Sequence, residues 1–487
     1  REDSRMKRAS IVLGWIIFCS PWVKCVETLD VSKIETWKIV VSSDALASER
    51  YAADDFRQLF RQAVGFDLPI VSETDSPDRA IFIGPGAAAA TDVTLQEYGE
   101  EEVYLKITPN KIVISGGRPR GTLYAVYEFM ERYLGVRFLT FDHTYFPPQK
   151  LDTIPCEEFR YNPPFLYRWS YYKEVDDHHD FAARLHINTT PTEEQFGGVT
   201  SQKLISHSLN ELLPVEKYGK DHPEYYALVD GERKLIVDYD APEVCSTNPE
   251  VAEVVAENVI RELDAHPERG NISVSQNDND AYCRCPNCEA INLREGTPMG
   301  SHMLLVNAVA ERVEKKYPNV KIGTLAYWYT RKPPKTIIPR SNVQVQLCSI
   351  ECCTLHAIDD PQCHQNQSFC QDMEGWSRIC KNIFVWNYNT NFFYYDLPFP
   401  NYRSIGPNIR FFVKNNTKGL FMQANAYGNN GEMCDLRNYV LSRCLWNPSL
   451  DGWEMVQEFC RLHYGTAADA ILEYVNQLCD RTEREGW

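Results

Sequence analysis

The chain has 487 residues, 44% of them hydrophobic and 24% charged, with a formal net charge of −17. That length carries two or three domains and a large core. The acidic balance excludes a partner presenting a phosphate polyanion, whether nucleic acid or an anionic membrane surface, and fits a neutral or weakly polar substrate.

Met6 to Cys25 reads as an export leader: Lys7 and Arg8, then the apolar run Ala9 to Cys19, then Pro21. The run is too short to span a bilayer. A signal peptide over residues 1–25 is predicted, and with it a secreted or periplasmic protein with no membrane contact after cleavage. Of the 17 cysteines, Cys19 and Cys25 fall in the leader. Export permits disulfides among the rest, and their odd number leaves at least one thiol free or paired outside the chain.

Residues 32–150 read as a small α/β domain. Trp37–Val41, Arg79–Gly84, Tyr104–Ile107 and Lys111–Ser115 are expected strands, and Ala45–Val64 and Thr122–Leu134 expected helices. The Gly116–Gly121 turn lacks the dinucleotide spacing, and no cofactor is expected. Asp142–Pro164 is Pro-rich and reads as a linker. Over residues 151–450, eight apolar runs alternate with helical stretches: Leu166–Trp169, Ile205–Ser208, Val244–Ser246, Ile272–Ser275, Ile322–Tyr327, Val343–Leu347, Ile383–Trp386 and Leu420–Gln423. Number and length predict a TIM-like (β/α)8 barrel. Residues 451–487 turn helical, and the pattern stops at Trp487 partway through, which predicts a longer helical region.

Such a barrel keeps its chemistry at the C-terminal strand ends. Those ends carry His207; Asn277 and Asp278; Tyr327, Trp328 and Tyr329; Glu351; Trp386, Asn387 and Tyr388; and Gln423 and Asn425, followed by Glu432. Acids, amides and rings on one rim suit glycoside cleavage. One acid protonates the leaving oxygen, a second group stabilises an oxocarbenium-like centre, and rings hold sugar faces. Asn277, Asp278 and Glu351 are the catalytic candidates. His207, Tyr327, Trp386, Tyr388, Gln423 and Glu432 are the binding candidates. Each has a plainer reading: an Asx-rich turn at 277–280, a salt-bridge role for Glu351, a helix cap at Glu432.

Cys283, Cys285 and Cys288 have spacing for three zinc ligands, with Cys348, Cys352 or His356 as a fourth, or for disulfides. Either role is structural, and no catalytic metal is expected. Asn188, Asn271, Asn366 and Asn415 sit in N-x-S/T sequons, and the one at Asn271 opens a buried strand.

Gly121–Phe138 resembles the small α/β domain that precedes the barrel in β-hexosaminidases and α-glucuronidases. His222–Leu228, Ser273–Cys288, Cys348–Cys352 and Leu397–Pro400 resemble the former domain of unknown function 4838, part of which is glycoside hydrolase family 163. The resemblance implies an endo-β-N-acetylglucosaminidase acting on N-glycans of a glycoprotein. It further implies a retaining mechanism in which the substrate's acetamide attacks the anomeric carbon. Asn277 would then hold the acetamide, and Asp278 or Glu351 would be the acid/base. A uronic-acid glycosidase, with Arg331 or Arg168 pairing the sugar carboxylate, is the alternative enzyme. A non-catalytic carbohydrate binder is the third reading.

Overall fold

The computed structural model describes residues 27–72, 78–91, 97–237, 240–428 and 431–485. The expected signal peptide lies outside them. Among the described residues no helix is long and apolar enough to cross a membrane.

The N-terminal region is a six-stranded mixed sheet in the order Glu158–Tyr161, Val103–Ile107, Lys111–Gly116, Ala80–Ile83, Lys38–Val41, Ile70–Ser72. The first two pairings are antiparallel and the last three parallel. Helix Ala47–Val64 lays Ala52, Phe56, Leu59 and Phe60 against helix Gly121–Leu134 on one face, with Phe56 and Phe129 centroids 5.5 Å apart. Gly65, at φ 94°, ends the first of these helices in a left-handed turn that a side chain would strain. The stretch read as a linker is not one. It holds strands His143–Tyr145, Thr153–Pro155 and Glu158–Tyr161, the last on the sheet edge. Short edge strands tolerate the prolines that made this stretch look irregular.

The second sheet is parallel and curled: Tyr167–Trp169, Thr417–Gln423, Ile383–Tyr388, Val343–Cys348, Lys321–Ala326, Asn271–Ser273. Six of the eight expected strands form. The segments at Ile205–Ser208 and Val244–Ser246 do not, apart from one isolated bridge between Tyr226 and Val244. The reason is visible along the seam. The Lys203 N–H donates to Asn271 Oδ1 (2.6 Å), the Ser206 N–H to Ser273 Oγ (3.1 Å) and the Ile205 N–H to Gln346 Oε1 (3.1 Å). Polar side chains on the neighbouring strands take the bonds that a backbone ladder would have made. The architecture is therefore a half-barrel whose open flank is bridged by side chains.

Alternation along the strands sorts the faces. Ile383, Val385, Leu420 and Met422 join the large outer core beneath the helices. Tyr167, Phe384 and Phe421, with Trp169 and Trp386 beside them, fill the concave side. The expected helices appear as Pro249–Ala265, Met299–Glu314, His364–Ile379 and Tyr402–Lys414, and the chain ends in helices Gly452–Tyr464 and Ala468–Glu485. The two sheets are tied by a buried ionic knot. Glu101 meets Arg120 at 2.7 Å, Arg168 at 2.6 Å and the Asn188 amide at 2.9 Å. All four sequon asparagines are buried.

A candidate active site at the C-terminal edge of the parallel sheet

Because the sheet is parallel, every strand delivers its last residues to the same edge. Asp278 follows the Asn271–Ser273 strand, Tyr327 follows Lys321–Ala326, Glu351 follows Val343–Cys348, and Tyr388 and Gln423 end their own strands. The electrostatics agree with this common edge. Burial raises the Tyr327 phenol, followed by the charge and hydrogen bonding of Asp278, then by Cys348 and Glu351. Burial raises the Tyr388 phenol too, and Cys348, Tyr327, Asp278 and Glu351 add to it. The Cys348 thiol is raised by burial and then by the same two carboxylates. Asp278 and Glu351 thus act on three common groups.

Their side chains are open to solvent, 59% for Asp278 and 41% for Glu351. His207 donates from Nδ1 to the Gln276 carbonyl at 2.6 Å, which turns Nε2 toward Asp278, 3.8 Å away. A ring nitrogen bound to a carbonyl must carry the proton, so in the neutral ring Nε2 is the bare one. Glu351 is held by Arg331 at 2.5 Å, and Arg331 also reaches Asp372 at 2.8 Å. Among the described residues Asp278 has no arginine or lysine paired with it.

The rings line one wall. The His207 and Tyr327 rings are 5.7 Å apart, and Trp386 stacks with Tyr388 at 6.3 Å. Gln423 accepts from the Trp386 indole N–H at 2.6 Å and so fixes that ring. Trp328 has φ 53°, a left-handed backbone rare for a bulky side chain, and its ring is 46% exposed. Phe393, Tyr394 and Tyr427 are also exposed on loops beyond the same edge.

Two predicted site residues are engaged elsewhere. The Asn277 amide is buried: Oδ1 accepts from the Asn210 N–H at 3.0 Å, and Nδ2 donates to the Pro242 carbonyl at 2.9 Å. It clips its own loop to the short helix Leu209–Leu212 and to the loop at Pro242. Glu432 is buried against Arg437 at 2.7 Å and Tyr402 at 3.3 Å. Neither Arg168 nor Arg331 is available to a sugar carboxylate. Arg168 is fully buried in the knot with Glu101, and Arg331 is occupied by Glu351 and Asp372.

Two carboxyls were not legible in the sequence. Asp176 lies beyond the Tyr167–Trp169 strand and accepts from the Trp169 indole at 3.1 Å; burial pushes it up to about 6. Glu243 accepts from the Tyr329 hydroxyl at 3.0 Å and from the Asn277 backbone N–H; burial, helped by the Asp240 charge, pushes it up to about 8. Only the packing around each distinguishes them from any other loop acid.

The cysteines depart from expectation. Among the described residues all are free thiols, and no disulfide is present. Cys283, Cys285 and Cys288 do cluster, but their companion is Cys245, not Cys348, Cys352 or His356. A cleft of about 570 Å³ opens on the bridged flank, lined by Lys203, His207, Glu211 and Arg261. Of the predicted site residues it touches only His207, so it is a side opening and not the strand-end site.

No curated protein matches the chain in sequence. Its fold resembles that of a family GH115 4-O-methyl-α-glucuronidase, BtGH115A, with specificity for decorated arabinogalactans, at TM-score 0.53 and 12% identity; the match covers 92% of this chain. The chain spans 62% of the length of that enzyme. A Flavobacterium johnsoniae chitobiase, FjGH20, aligns at TM-score 0.48 and 11% identity over 94% of this chain and 72% of its own. A Streptomyces plicatus β-hexosaminidase holding its product GlcNAc aligns at 0.46 and 13%, over 90% and 91%. At such identities the first likeness is one of fold, and the other two are too distant to argue from. A family profile described as a domain of unknown function, DUF4838, matches residues 138–476, well over half of the chain. The chain belongs to the DUF4838 family.

Proposed function

We propose that this protein is a glycoside hydrolase working at the C-terminal edge of its parallel sheet. One observation carries the reading: Asp278 and Glu351, with side chains 59% and 41% exposed, follow separate strands at the same edge of one parallel sheet, where the Tyr327, Trp386 and Tyr388 rings lie. Two carboxylates facing one ring-lined, water-accessible space are what protonating a leaving oxygen and stabilising an oxocarbenium-like centre require. Asp278 is the acid/base. It is the more exposed of the two, it has no arginine on it, and His207 Nε2 faces it. Glu351, held by Arg331, stabilises charge on the sugar. Trp386 and Trp328 supply faces for sugar rings.

The finer reading, an endo-β-N-acetylglucosaminidase on N-glycans, rests on the sequence resemblance. In it the substrate's acetamide oxygen attacks C1 while Asp278 gives its proton to the departing oxygen. Asp278 then takes a proton from the water that opens the oxazoline. Asn277 supports the position of its neighbour and does not touch the sugar. The acetamide is held by the Tyr327 and Tyr388 hydroxyls, which burial keeps protonated and able to donate. Export through the leader at residues 1–25 would bring the enzyme to such glycoproteins. The uronide alternative is weaker, because both arginines it needs are already paired.

The test is a panel of aryl glycosides and a glycoprotein with Asp278→Asn and Glu351→Gln. Loss of the acid/base is expected to slow turnover by about 10²–10⁴-fold. If both variants hydrolyse a 2-acetamido glycoside at the wild-type rate, the site is elsewhere. Release of whole glycans by the wild type selects the endo reading, and uronide cleavage selects the alternative.

A further inference from the structure

We infer that Cys245, Cys283, Cys285 and Cys288 form a structural zinc site. Their four Sγ atoms all lie within 4.8 Å of one another, and all four side chains are buried. Cys245 Sγ and Cys285 Sγ are 3.8 Å apart. In a tetrahedron with Zn–S bonds of about 2.3 Å the edge between two sulfurs is ~3.8 Å. A disulfide would need about 2.05 Å, so the cluster has the spacing of shared coordination and not of a covalent pair.

The surroundings suit thiolates. The Leu228 N–H points at Cys283 Sγ at 3.3 Å, the Thr247 hydroxyl lies 3.1 Å from Cys288 Sγ, and Arg233 Nη1 lies 4.0 Å from Cys283 Sγ. Binding converts four thiols and Zn²⁺ into a Zn(S-Cys)₄ unit of net charge −2 and releases four protons. Donors and a guanidinium against the sulfurs offset that buried charge. The four protein ligands close the coordination sphere, so the site is structural and offers no open position for substrate.

The cluster also explains a tether. Cys245 comes from the segment that failed to become a strand, and its N–H donates to the Tyr225 carbonyl at 2.7 Å. Cys283 to Cys288 follow directly on Asp278. Between them, Tyr282 stacks on Tyr329 at 4.9 Å, and the Arg284 N–H donates to the Leu228 carbonyl at 2.8 Å. Zinc would therefore fasten the Asp278 loop to the 225–247 segment where no β-ladder does so.

The test does not depend on any glycosidase assay. The full-length protein, made with zinc in the medium and desalted, is expected to carry about one zinc, which a mercurial displaces by capturing its four thiolates as mercury–sulfur adducts. Cys245→Ala and Cys288→Ser each lower the metal content by that equivalent. Cys363→Ser, in the separate Cys353–His356–Cys363 group, does not lower it. Should the variants misfold, cobalt substitution of the wild type is decisive: intense visible bands of a tetrahedral tetrathiolate site are expected. The inference fails if peptide mapping finds these four cysteines in disulfides, if the cobalt bands are absent, or if the metal survives Cys245→Ala.

Discussion

Two buried glutamates, one at the junction between the sheets and one behind the C-terminal edge of the parallel sheet, show how surroundings decide what a carboxyl does. Glu101 and Glu243 are both nearly inaccessible. Burial alone would push each one up. At Glu101, Arg168 and Arg120 outweigh burial and hold the carboxyl below its ordinary range. At Glu243 no cation is paired among the described residues. A tyrosine hydroxyl and a backbone N–H do not offset burial, and the group rises to about 8. Near neutral pH the first is a charged rivet between domains and the second a protonated acid in a wall. Asp278 and Glu351 differ from both in facing water, which leaves them free to meet a ligand.

The sharpest way to break this contrast is Glu101→Gln. It leaves two buried guanidiniums short of their partner and is expected to cost ~3–5 kcal/mol of stability by urea unfolding. An unchanged midpoint would mean that the knot is not holding the sheets together. Asp278→Asn should do the reverse. Because its side chain is 59% exposed, unfolding should shift by less than about 0.5 kcal/mol while glycosidase turnover collapses. A large loss of stability there would make Asp278 a structural cap and not an acid.

Glu243→Gln sharpens the titration difference. A carboxyl raised to about 8 contributes stability that is full below its unfolded value of 4.5 and is lost as pH rises through 8. Stability of wild type should therefore fall between about pH 4.5 and 8, and the variant should remove that fall, which is on the order of 5 kcal/mol. Glu101, with its pKa lowered, gives the opposite limb: its contribution is present above the unfolded value and is lost on acidification. Parallel pH profiles for wild type and Glu243→Gln would contradict the assignment. The smallest effect is expected from Trp328→Ala. Losing one stacking face should raise KM several-fold, about 1 kcal/mol, with little change in kcat. A drop confined to kcat would move Trp328 from the binding rim into the reacting centre.

The apolar runs of the parallel sheet were legible in the sequence because strands such as Val343–Cys348 and Ile383–Tyr388 are buried on both faces and show as near-continuous hydrophobic stretches. The positions of Asp278, Glu351 and Tyr327 beyond such runs, and of Tyr388 at the end of its own strand, could be read for the same reason. Ile205–Ser208 misled because its apolar residues pack into the concave side while Asn271, Ser273 and Gln346 intercept its backbone donors. Asn277 and Glu432 looked free because sequence does not record which backbone or arginine will take up an amide or a carboxylate.

Chain order by itself determined the alternation of apolar strand and helix and, for the six strands of the parallel sheet that form, the residues near their ends, since both follow from local periodicity. Tertiary structure alone decided that Cys245 joins cysteines some forty residues later, that Arg168 pairs with a glutamate in the turn before a strand of the other sheet, and that Glu243 keeps its proton. Those outcomes depend on distances and desolvation between segments far apart in the chain, and no local pattern encodes them.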